Sequence, residues 1–118
     1  MSARFIRAKK PSSVRKSKEL CQFLDCCENE WLRRKVDEVL SLLSRDYQLG
    51  GKIPPERWSK RARYYVTRWK VRNIYECRVG PDWRLTYTLL SDGAGIAVVA
   101  LEVVTHKEYD GLFGYRTT

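Results

Sequence analysis

The chain has 118 residues, a net charge of +9 and 43% hydrophobic residues, with aromatic rings making up 12%. That length suits one domain, residues 1–118, built on a single modest core, and the composition excludes a disordered chain. With no run of 18 apolar residues and no apolar signal core near the start, the expectation is a cytoplasmic protein with no membrane partner.

Residues 1–18 hold seven basic groups and no acid. With their serines they have the look of an organellar transit peptide. The reading preferred here is a strand over Arg4–Ala8, followed by a basic helix start. Ser12 or Ser13, after Pro11, can cap a helix beginning near Val14. Leu20, Phe23, Leu24 and Cys27 then recur at helical spacing. A second apolar set, Leu32, Val36, Val39, Leu40 and Leu43, predicts a helix from about Asn29 to Arg45. No Gly or Pro separates the two sets. One helix of some 30 residues is out of scale for so small a domain, so a helical hairpin breaking near Cys27–Asn29 is expected. Gly50-Gly51 closes the helical part, and Pro54-Pro55 prevents its continuation.

Between Lys52 and Arg72, eight basic side chains alternate with Trp58, Tyr64, Tyr65 and Trp69. Rings among cations are what single-stranded RNA binding uses. The same rings can equally pack beneath a sheet while the cations are solvated. Lys52, Arg57, Lys60, Arg61 and Arg63 are the candidate RNA-binding cations. Residues 52–84 carry ten basic and three acidic groups, so the positive charge gathers here and on the first eighteen residues. A basic stripe of this kind suits a polyanion: nucleic acid first, an acidic protein segment second.

The next segment reads as two short strands joined by Gly80-Pro81-Asp82. With period two, Tyr75, Cys77 and Val79 share one face, and Glu76 and Arg78 the other. Leu85, Tyr87 and Leu89 point one way; Arg84, Thr86 and Thr88 point the opposite way. One face is apolar. The other carries Glu76, Arg78 and Arg84, an acid and two permanent cations suited to gripping a phosphodiester. After the turn at Ser91–Gly95, Ile96 to Val104 is apolar apart from Glu102, as in a strand buried on both faces. The four cysteines form no CxxC pair and His106 is the only histidine, so no metal site is expected. All four cysteines read as small hydrophobes in a reducing compartment. The expected fold is α+β: N-terminal strand, helical hairpin, then a three-stranded antiparallel meander, with the helices on one face of a small sheet.

This order, from Val14 to Tyr115, resembles the RelE/ParE superfamily of type II toxins. The resemblance is carried by Asp46–Ile53 before the sheet, by Tyr75–Val79 with Trp83-Arg84-Leu85-Thr86-Tyr87 as the central hairpin, and by His106-Lys107-Glu108-Tyr109 with Phe113-Gly114-Tyr115 at the end. It implies the RelE-like microbial RNase fold and a toxin that cuts mRNA in the ribosomal A site. It further implies a metal-independent endoribonuclease needing no cofactor, restrained by a cognate antitoxin. The 2′-hydroxyl attacks the adjacent phosphate and leaves a cyclic phosphate, which needs a base, cations on the phosphorane and an acid for the 5′-oxygen. By position, Arg84 matches the family's hairpin arginine. Glu76 and Arg78 stand where RelE has lysines. His106 or Tyr109 matches the terminal catalytic region. Glu56, in Lys-Ile-Pro-Pro-Glu, resembles the base of YoeB-like relatives, so Glu56 and Glu76 both remain base candidates. Two other functions stay open: a ParE-like inhibitor of DNA gyrase without nuclease activity, and a degenerate domain that only binds antitoxin or RNA.

Overall fold

A computed structural model describes residues 9–114. The strand expected at Arg4–Ala8, and Tyr115, lie outside the described residues. The class is α+β: four helices and a five-stranded open sheet. In chain order the elements are β1 (Ser13–Lys16), α1 (Lys18–Cys26), α2 (Glu30–Leu43), β2 (Gly51–Lys52), 3-10 turns at Pro55–Arg57 and Lys60–Ala62, and α3 (Arg63–Trp69). β3 (Tyr75–Val79), β4 (Trp83–Ser91), β5 (Ile96–Thr105) and α4 (His106–Phe113) follow. The sheet order is β1-β5-β4-β3-β2. β1 runs parallel to β5, and the other pairs are antiparallel. No helix among the described residues is long and apolar enough to cross a membrane.

The helix expected from Val14 is a strand at that point. Val14 pairs with Val98 on the outer edge of β5, where a β-branched side chain fits a pleated surface. The capping serine is Ser17, not Ser12 or Ser13. Its hydroxyl accepts from the Leu20 amide at 2.9 Å and donates to the Leu101 carbonyl at 2.6 Å, tying the start of α1 to the sheet. The hairpin does break at Cys27–Asn29. Asn29 caps α2 by accepting from the Leu32 amide at 3.0 Å.

The meander has the expected faces. Tyr75, Cys77 and Val79 sit opposite Tyr87, Leu85 and Trp83. With Val98 and Ala100 they close a core against Leu20, Leu32, Val36, Val39 and Leu43 of α1 and α2. The expectation of helices on one face only is corrected. A second core, including Tyr65, Ile74, Leu101, Leu112 and Phe113, lies on the opposite face under α3 and α4. The reason is the apolar run of β5, which leaves hydrophobic side chains on both sides and needs a layer over each. α4 is started by a capping box: Thr105 Oγ1 accepts from the Glu108 amide, and Glu108 returns a carboxylate to the Thr105 amide.

A bulge interrupts β5. Thr86 pairs with Glu102 and Tyr87 with Ala100, leaving Leu101 without a partner. The extra residue puts Leu101 and Glu102 on the same face. Glu102 therefore meets the hydroxyls of Tyr64 and Tyr65, and Tyr65 also bonds Thr86 at 2.9 Å.

Candidate active site

The β3–β4 ladder decides what converges. Glu76 pairs with Thr86, and Arg78 with Arg84. All four side chains belong to the face covered by α3 and α4. The β3–β4 turn then receives the start of α4: the His106 amide donates to the Asp82 carbonyl at 2.8 Å. Glu76, Arg78, Arg84, His106, Tyr109 and Asp110 line one groove of about 380 Å³. Five of the six candidate catalytic residues thus come together.

Arg84 is only 6% exposed. It points away from the apolar face that packs on α1 and α2, as alternation predicts, and α4 lies over it on the other side. Its Cζ is 5.8 Å from the centre of the Tyr109 ring, within cation–π range. Its Nη1 donates to the Trp83 carbonyl at 3.0 Å, and its Nε stands 3.7 Å from Glu76 Oε1. That separation allows attraction but exceeds a hydrogen bond, and Oε1 is a buried oxygen with no hydrogen-bond partner. Burial pushes the Glu76 carboxyl above the usual range, and the Arg84 and Arg78 charges only partly oppose it.

His106 and Tyr109 have different surroundings. His106 is exposed at the groove's mouth, with Nε2 at 3.4 Å from Asp110 Oδ2, one helical turn later. Tyr109 is 4% exposed and packs on Phe113, with ring centres 5.1 Å apart. It forms a wall of the groove. Asp110 was not a sequence candidate. The signal was available: Thr105-x-x-Glu108 marks a helix start, and that helix places His106 and Asp110 on one face. The Glu102–Tyr64–Tyr65 cluster was missed for another reason. It depends on the Leu101 bulge, which alternation in a sequence does not reveal.

Glu56 does not join the groove. It is exposed in the 3-10 turn Pro55–Arg57. Lys52 pairs with Tyr75 and so belongs to the opposite face of the sheet from Glu76. Arg57, Lys60, Arg61 and Arg63 are exposed along the turns and the start of α3. Arg61 crosses Gly111 of α4, where a Cβ would collide with its guanidinium. The rings of this segment mostly serve packing. Tyr65 is fully buried against Trp69 and Phe113, and the Trp58 indole donates to the Ile53 carbonyl at 3.1 Å. Cys77 is buried, and burial with the nearby Glu76 charge pushes its thiol up to about 12. No three His, Cys, Asp or Glu side chains among the described residues gather where they could hold a metal ion.

No protein-family model, curated protein or solved structure matches this chain. The groove holds a carboxylate with a raised pKa, two guanidinium groups and an imidazole oriented by a carboxylate. A carboxylate can accept a proton, guanidinium groups can hold an anion, and an imidazole can accept or donate a proton.

Proposed function

We propose that this domain is a RelE-like toxin, a metal-independent endoribonuclease that cuts mRNA on the ribosome. One observation carries the reading: Glu76, Arg78, Arg84 and His106 line the same groove. Glu76 takes the proton of the 2′-hydroxyl. The freed 2′-oxygen forms a bond to phosphorus while the bond from phosphorus to the 5′-oxygen breaks. Protonated His106 delivers its proton to that 5′-oxygen. The products are a 2′,3′-cyclic phosphate and a 5′-hydroxyl, and solvent restores both protein groups. Arg78 and Arg84 hold the extra negative charge of the phosphorane. A carboxylate with a raised pKa is a stronger base than a solvated glutamate, which suits it to this proton. The net charge of +9 supports a polyanionic target. By the same reading, an antitoxin with an acidic or amphipathic segment masks the basic surface.

The test is to incubate the purified protein with ribosome-bound mRNA, with EDTA kept below the magnesium concentration, so that transition metals are chelated while the magnesium that holds ribosomes together remains. Primer extension maps the cuts. Ribosome-dependent cuts ending in cyclic phosphate are expected. Intact mRNA together with inhibited DNA gyrase would replace this reading with the ParE-like one.

A further inference from the structure

A second groove, of about 670 Å³, opens at the other end of the β3–β4 hairpin. Tyr47, Trp69, Lys70, Arg72, Tyr75 and Leu90 are among its walls, and no Asp or Glu is. Its rings are held in place. The Trp69 indole donates to Glu19 at 3.0 Å, and Tyr75 stacks on Tyr87 at 5.3 Å. The Tyr87 hydroxyl in turn donates to the Tyr47 carbonyl at 3.0 Å. Glu19 is engaged by Trp69 and, at 3.9 Å, by Arg68.

The cations are placed at a structural cost. Lys70 ends α3 in the left-handed conformation, φ 56° and ψ 38°. It is the one non-glycine with positive φ among the described residues. Glycine is the ordinary residue at such a helix end, because a Cβ is strained there. Lys70 takes this strained conformation with its side chain on the wall of the groove.

We propose that this groove is a second single-stranded RNA site. A base lies against Trp69 or Tyr75, and the flanking phosphates meet Lys70 and Arg72. The choice of RNA as the polymer rests on the nuclease reading above; the groove's charge and rings do not. Thr88, in this groove, is four residues along β4 from Arg84, roughly 13 Å at strand rise. The direct line between them runs beneath α3, where Tyr65 bonds the buried Thr86, so a strand that reaches both grooves passes over the surface and is longer than that distance.

The experiment uses a fluorescein-labelled 2′-O-methyl decanucleotide, which lacks the attacking hydroxyl, so binding is read apart from cleavage. Anisotropy titrations are run at several salt concentrations. Lys70→Ala with Arg72→Ala should weaken binding by roughly tenfold or more and reduce the slope of log K against log salt by about 1.4, for two phosphates on a single strand. Lys70→Gly separates function from folding: it should raise the Tm by a few degrees while weakening binding. Unchanged affinity and slope in the double variant overturn the proposal. So does an acidic peptide of equal charge that competes as well as unlabelled RNA. Binding through Lys70 and Arg72 without any cutting of ribosomal mRNA sinks the nuclease reading and leaves this site standing. Cutting by a protein whose binding ignores Lys70 and Arg72 does the reverse.

Discussion

Glu76 and Arg84 face each other diagonally across the β3–β4 ladder, Oε1 to Nε 3.7 Å, attracted but not hydrogen-bonded. The carboxylate is drawn toward the guanidinium yet keeps an unbonded, buried oxygen. A fully satisfied ion pair would hold both groups in their charged, engaged state and leave little for a substrate. This looser pair leaves the carboxylate able to take a proton and the guanidinium with donors to offer a phosphate.

Glu76→Gln should lower cleavage by roughly 10²–10⁴-fold, the usual contribution of a general base. It should also change stability in a pH-dependent way. Burial raises the Glu76 pKa in the fold. Between the unfolded and folded pKa values the native protein holds more protons than the unfolded chain, so stability falls as pH rises through that window. Thermal unfolding at a series of pH values should show the glutamine variant gaining on the wild type as pH rises through and above the ordinary carboxylate range. A constant difference across that range would show that Glu76 does not titrate as argued.

Arg84→Ala should reduce single-turnover cleavage by roughly 10²–10³-fold, the scale of losing one transition-state donor. Because the side chain is buried under Tyr109, the change should also cost about 1–3 kcal/mol of stability, by leaving polar groups without a partner. Arg84→Lys keeps the charge but not the fork, so it should recover stability more than rate. Denaturant titrations alongside cleavage assays separate the two effects. Full activity in a folded Arg84→Ala variant rules out a catalytic role.

His106→Gln should lower single-turnover cleavage by roughly 10²–10⁴-fold, the usual contribution of a positioned proton donor. Asp110→Asn should act through His106 only, with a loss of roughly two- to fivefold, as expected for a solvent-exposed pair worth 0.5–1 kcal/mol. A loss of that size that vanishes when His106 is already glutamine identifies Asp110 as a positioning residue. A loss that persists in the His106→Gln background assigns it no part in orienting the imidazole.

Gly50→Ala should destabilise the domain by about 1–3 kcal/mol through overpacking. A Cβ there collides with the Glu76 carbonyl and comes within 2.8 Å of Cys77 Sγ. The Gly50 amide also donates to the Tyr87 hydroxyl at 3.0 Å. The backbone of Glu76 must shift to make room, so cleavage should fall with stability. A variant with wild-type Tm and rate would show that β3 yields freely at this edge.

Much of this arrangement was legible in the chain because it depends on short-range periodicity. The i, i+4, i+7 spacing of Leu32, Val36, Val39 and Leu43 marked α2, and alternation along Tyr75–Val79 and Trp83–Leu89 assigned the right residues to each face. Face assignment alone brought Glu76, Arg78 and Arg84 together, since partners across a ladder share a side. The resemblance to RelE-like toxins added His106 and Tyr109, which the sequence itself did not tie to that face.

Tertiary structure decided what period and propensity leave open. Ser13–Lys16 begins with a candidate capping serine and ends on two basic residues, yet becomes a strand because the edge of β5 offers backbone partners that a local window does not contain. Alternation points Arg84 away from the apolar face on α1 and α2, and only the packing of α4 over the other side buries it. Asp110 reaches the groove because α4 begins at the end of β5 and is held to Asp82 across the β3–β4 turn. Glu56 misses it because the Pro55–Arg57 turn stays at the surface. Alternation tells which face a side chain takes; what later covers that face is set by contacts between segments distant in the chain.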